Sequence, residues 1–217
     1  MRSGRSLRLS FTYLRPLLRE NWIAEDGSGR IRESLEQPIF LSRAERETFI
    51  AGGYQVFAIN EDFGPDGLTP RLIPATFGVD SLPTDVDVLR ELLRKKAEQD
   101  GYGLWRTEAR MFMHIRDLLR DPLTPPEARA ALFEVAATLP GIELIGEATD
   151  QAGRTGFAIA LTDLWVMREI VIFDPATSAL LEERTERLLP YGDTPGPITW
   201  SRSTYLEAKV VPEIPGE

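Results

Sequence analysis

The side chains that most often move protons, attack carbonyls or hold metals are histidine, cysteine and clustered carboxylates. This chain of 217 residues has one histidine, His114, and no cysteine. That excludes a disulfide framework, thiol nucleophiles, cysteine-ligated zinc or iron–sulfur clusters, and any multi-histidine metal site. His114 lies in Met111-Phe112-Met113-His114-Ile115, inside a helical pattern, with Arg110 as its charged neighbour one turn away. Catalysis would need a partner to orient the ring and tune its pKa, and neither Glu108 nor Asp117 sits four residues from it, the spacing that Arg110 has. His114 therefore reads as a partly buried helix residue. No Gly-x-Ser-x-Gly elbow occurs, and a Ser/His/Asp triad would have to use that same imidazole. A serine hydrolase is not expected.

The carboxylates are numerous and unspecific. Asn60, Glu61, Asp62 and Asp66 crowd one Pro/Gly-rich stretch and offer oxygen ligands of the kind calcium takes. An EF-hand begun at Asn60 needs a bidentate Glu at its twelfth position, where this chain has Arg71, so a solvated loop is expected. Asp85 and Asp87 fall in the first turn of a helical pattern, where the helix dipole explains them. With 34 acidic residues, glycosidase-like carboxylate pairs are guaranteed somewhere and no pair is singled out. Neither a Walker A loop nor G-x-G-x-x-G is present. Trp22, Trp105, Trp165 and Trp200 are spread along the chain, as packing residues are, rather than gathered into a cage. No catalytic, cofactor-binding or metal-ligating residue is assigned, and no cofactor is implied. The net charge of −9 argues against nucleic acid or an anionic membrane as main partner. Of the 25 basic residues only Lys95, Lys96 and Lys209 are lysine, an arginine bias to which we attach no function.

The elements that would position these residues fall in three zones. From Leu7 to about Phe40 the pattern is strand-like. Leu7, Leu9, Phe11 and Tyr13 alternate with polar residues, and Trp22-Ile23-Ala24, Asp26-Gly27-Ser28-Gly29 and Arg30-Ile31-Arg32 read as a hairpin. From Ser42 to Leu139 the chain is mostly helical. Ser42 and Glu45 form a capping box with Gly52-Gly53 as its stop. Thr84 is expected to cap a helix carrying Val86, Leu89, Leu92 and Leu93, and Phe112, Ile115 and Leu119 mark the face of the next. Thr124 is expected as the cap of a third, with Pro125 first in the helix, Glu127 closing the box, and Ala128, Leu132, Val135 and Leu139 inward.

From Ile142 to Val211 strands return, over 142–147, 155–161, 169–173, 180–188 and 199–210. Phe157, Ile159 and Leu161 make one face of the second bulky, while Gly156, Ala158 and Ala160 leave the other nearly bare for a close-packed layer. Asp26–Arg30 and Asp150–Arg154 share the pattern D-x-x-G-R between candidate strands, which turn chemistry explains without duplication. No βαβ rhythm appears. The expected fold is α+β: an antiparallel sheet, flat or curved, with a central helical insertion packed on one face, as a single domain over 1–217. Its 42% apolar residues suffice for a core, and no run approaches the ~18 apolar residues of a membrane span.

The runs Thr124–Ile142, Thr149–Ala160 and Ile170–Thr177, with Trp22–Arg30 and Leu82–Asp85 as earlier landmarks, resemble an uncharacterised actinobacterial family of membrane-anchored proteins with anti-sigma-factor-like organisation. The resemblance implies an extracytoplasmic domain behind a transmembrane helix, with a curved sheet like those of lipoprotein-carrier and sigma-regulator sensor proteins. It supplies no catalytic residues. The family's cytoplasmic segment and membrane helix would precede Met1. The expected location is thus cytoplasmic for a whole chain and extracytoplasmic if an anchor lies upstream. The expected function is a non-enzymatic binding or sensory domain, taking an apolar small ligand or a protein partner. The alternatives are a carboxylate-based or metal-dependent hydrolase and a protein-interaction domain.

Overall fold

The computed structural model describes residues 12–24, 26, 28–64, 82–100, 106–121, 123–163, 166–191, 194–209 and 211–214. The fold is α+β with antiparallel sheets. The chain forms two compact units, Met1–Pro70 with Glu213–Glu217, and Arg71–Pro212, where the sequence suggested one domain.

In the first unit, β1 (Tyr13–Leu14) pairs with β4 (Ile39–Phe40), and β2 (Leu17–Ile23), β3 (Gly29–Leu35) and β5 (Asn60–Phe63) make a three-stranded sheet. The expected hairpin is there, in register from Leu17 opposite Leu35 to Ile23 opposite Gly29. Leu7 to Phe11 of the first expected strand lie outside the described residues. Helix α1 (Arg43–Ala51) begins as its capping box requires, Ser42 Oγ accepting from Glu45 N at 3.2 Å. Asn60–Phe63 of the expected loop is strand: β5 pairs along β3 from Gly29 opposite Phe63 to Arg32 opposite Asn60, with Arg30 donating to Asp62 across the pair.

In the second unit, α2 (Val86–Gln99), α3 (Thr107–Arg120) and α4 (Pro126–Ala137) precede β6 (Ile142–Thr149), β7 (Thr155–Asp163), β8 (Met167–Phe173), β9 (Leu180–Arg187) and β10 (Ile198–Thr204), which form one sheet in the order β10-β9-β8-β7-β6. The strands before and after the helices thus belong to different sheets. The last strand stops at Thr204, short of the expected end, and Tyr205 to Lys209 are irregular.

Two helix starts differ from expectation. Asp85, not Thr84, caps α2, its Oδ1 accepting from Asp87 N and Val88 N at 3.0 Å. Pro125, not Thr124, is the cap of α4. The residue before a proline is driven out of the helical region, and Pro126 so holds Pro125 extended at ψ 147°. Thr124 is buried, and its hydroxyl donates to Leu118 O at 2.6 Å, serving the end of α3 instead.

The main core joins Leu89 and Leu93 of α2, Phe112, Ile115 and Leu119 of α3 and Leu132 and Val135 of α4 to Ile159, Leu161 and Val171 of the sheet. The helices therefore take the bulky face of β7, where large side chains interdigitate. On the bare face Ala158 and Ala160 join Ile170, Ile172 and Leu181 in a second buried cluster. A Cβ at Gly156 would come within 2.5 Å of Phe173 O, so only glycine fits that approach.

Candidate functional site

The strongest concentration of ionisable groups lies where α3 meets β8 and β9. Arg116 and Arg120 are four apart and share a helix face. Glu169 and Glu183 stand on the inward parity of their strands, in register with Thr185 and Val171. Arg116 donates to Glu169 Oε2, which also accepts from Thr185 Oγ1 at 2.7 Å. Arg120 Nη2 donates to Glu183 Oε2 at 2.7 Å and its Nε to Tyr205 Oη at 2.7 Å, while that hydroxyl donates to Glu183 Oε2 at 3.0 Å. Arg116 Nε and Glu183 Oε1 face each other at 3.7 Å, too far for a hydrogen bond, and neither atom has another such partner. Burial and the Glu183 charge push the Tyr205 hydroxyl up, so it stays protonated. Burial also raises Asp117 above the ordinary carboxylate value, and the nearby Arg120 and Arg116 do not fully offset it.

At the other end of α3, Arg106 Nε donates to the buried Asp163 at 2.7 Å and its Nη2 to Thr162 O at 2.9 Å. Arginines thus pin α3 to β7, β8 and β9 in turn. Opposite, Glu182 is wholly buried and accepts from Gln151 N, Arg184 and Thr204 Oγ1, with Arg202 Nε at 3.3 Å. In the first unit Glu33 accepts from Arg15, Arg19 and Ile59 N. Burial alone would raise Glu33, but the Ile59 N–H and Arg19 hold it below the ordinary value. All six buried carboxylates among the described residues (Glu33, Asp150, Asp163, Glu169, Glu182 and Glu183) have an arginine partner.

The candidates named from sequence are dispersed. His114 does have a carboxylate partner, supplied by the end of α2: its Nε2 is 3.0 Å from Asp100 Oδ2, which Lys96 also approaches. Burial lowers its pKa, with Asp100 and Asp117 pulling the other way. Of the oxygen-bearing side chains weighed for calcium and set aside, Asn60 Oδ1 accepts from Glu33 N at 3.1 Å and Asp62 pairs with Arg30. Asp66 and Arg71 lie outside the described residues, and among those described no three acidic or histidine side chains converge on a metal position. Asp87 pairs with Arg90. Trp22 lies under Arg32, Trp200 is half-exposed against Tyr191, and Trp105 and Trp165 are outside the described residues. The two D-x-x-G-R turns use their aspartates differently. Asp26 accepts locally from Ser28, whereas buried Asp150 accepts from Arg154, which reaches on to Tyr205 O.

Sequence reading missed Arg116, Arg120, Glu169, Glu183 and Tyr205. The available signal was acidic residues at inward strand positions beside an i, i+4 arginine pair. No family model matches the chain, and neither a curated protein nor a solved structure does. Among the described residues, no helix is long and apolar enough to cross a membrane.

Proposed function

We propose that this chain is a non-enzymatic binding or sensory module. The observation that carries the reading is the pairing with arginine of all six carboxylates buried among the described residues. A general acid or base must present its carboxylate oxygens to a substrate, and a carboxylate bound by a guanidinium is already occupied within the fold. Taken with the family resemblance, the module acts as the sensory part of a sigma-factor regulatory protein.

The test compares wild type with Glu169→Gln and Glu183→Gln. Active-site residues commonly cost stability, so replacing one raises Tm, whereas breaking a structural pair lowers it. Both variants are expected to melt lower than wild type. Turnover of p-nitrophenyl esters, phosphates or glycosides by wild type, lost in either variant, overturns the proposal. A protein-interaction role has one observation in its favour: Ile50 of α1 and, just after it in the chain, Tyr54 and Phe57 are exposed.

A further inference from the structure

In the second unit, β10 is an outer strand, paired to β9 along one edge and to no strand along the other among the described residues. At its bulge, between Thr199 and Ser201, stands Trp200, 49% exposed. Tyr191 meets it edge-on with ring centroids 5.6 Å apart, and the Arg187 guanidinium lies 5.6 Å from the Tyr191 ring. Trp, Tyr and Arg are the side chains most enriched where binding energy concentrates, and here the three are contiguous. Arg187 is unusual in this acidic molecule. Most described arginines meet a carboxylate, whereas among the described residues Arg187 has no ion-pair partner and its buried Nε no hydrogen-bond partner.

We propose that the β10 edge, with Trp200, Tyr191 and Arg187, is a docking surface for an extended peptide segment bearing carboxylates. The inference rests on the binding-module reading and names its partner class. The open edge offers main-chain groups to an added strand, the bulge turns Trp200 outward as an anchor, and Arg187 supplies the charge its own fold leaves unanswered. Ser201 and Ser203, both exposed, give the polar rim.

The experiment selects 12-residue peptides from a phage-displayed library on the full chain, then measures the labelled peptides by fluorescence anisotropy. Selected peptides are expected to carry acidic residues at alternate positions and to weaken as salt rises. Affinity falls tenfold or more in Trp200→Ala and in Arg187→Gln, with Tm little changed because Trp200 is half in solvent. Arg32→Gln, which removes the comparable cation over Trp22, leaves affinity unaltered. Peptides that bind Trp200→Ala and Arg187→Gln as tightly as wild type overturn the β10 site but leave the binding-module reading standing. Failure to select any peptide, or displacement by polygalacturonate as effective as by peptide, overturns the peptide assignment. Turnover in the glutamine-variant test above is what overturns the module reading.

Discussion

His114 shows how burial and a neighbouring carboxylate compete over a single imidazole. Its ring packs on the inner side of α3 with Nε2 toward Asp100, so burial disfavours the charged form while the carboxylate partly restores it. Burial is the larger effect, and the folded pKa lies below the ordinary 6.5. The sign follows: below 6.5 the unfolded chain binds the proton more readily, so stability is lost as pH falls through that value toward the folded pKa. Because this is the chain's single histidine, its imidazole resonances are unambiguous in a proton–carbon NMR titration. They are expected to titrate below 6.5, and His114→Gln removes the step in Tm that sets in as pH falls through that value. A midpoint above 6.5 means that Asp100 outweighs burial. Among the described residues, the charged groups acting on it include Lys96 on α2, Asp100 just past the end of α2 and Asp117 on α3.

At the scale of elements, α3 is fixed at both ends by side chains from elsewhere. Its last carbonyls have no partner within the helix. Arg129 of α4 supplies one, donating to Leu119 O at 3.2 Å, Asp121 O at 2.7 Å and Thr124 O at 2.9 Å. Arg129→Met keeps the apolar stem and removes every one of these bonds, and is expected to cost about 1–3 kcal/mol in urea unfolding. A loss below a few tenths would mean that water serves those carbonyls equally well. This capping also marks the limit of what the sequence discloses. Strands β6 to β9 are legible because alternation and turn residues are local, and so are the inward faces of α2, α3 and α4. The Pro125-Pro126 pair was read as a helix start one residue early, since the restriction a proline places on its predecessor outweighs the Thr124 cap. The paired clusters were illegible for a different reason. Arg116 and Glu169 are 53 positions apart and Arg120 and Tyr205 are 85, so their meeting depends on register across α3, β8 and β9. Strand parity turns Glu169 inward but cannot say which arginine will answer it.

For the whole molecule, the arginine bias acquires a structural meaning: a rigid, always-charged fork suits a fold that buries six carboxylates among its described residues. Such a protein should be vulnerable to acid. Glu33 and Asp150 are both held below their ordinary values of 4.5 and 3.8 despite burial, Asp150 by the main chain and side chain of Arg154. A depressed carboxylate contributes stability that is present above its unfolded pKa and is lost as pH falls through the folded one. Asp117, raised by burial, has the opposite sign, since its protonation relieves a cost. Glu33 and Asp150 therefore favour loss of stability in acid, as do Asp26, Asp62, Glu91 and Asp174, while Asp117 resists it, and protonation of the other carboxylates turns a net charge of −9 strongly positive and adds repulsion. Thermal melts from pH 7 to pH 3 are expected to be nearly flat down to about pH 5 apart from the His114 step, then to fall steeply. Glu33→Gln should start lower, because Arg15 and Arg19 lose their charge partner, and should decline less below pH 4.5 because one titrating group is gone. A variant curve parallel to wild type through that range would show that Glu33 ionises alike in the folded and unfolded chain, and the pairing would then contribute nothing to the acid limit of the fold.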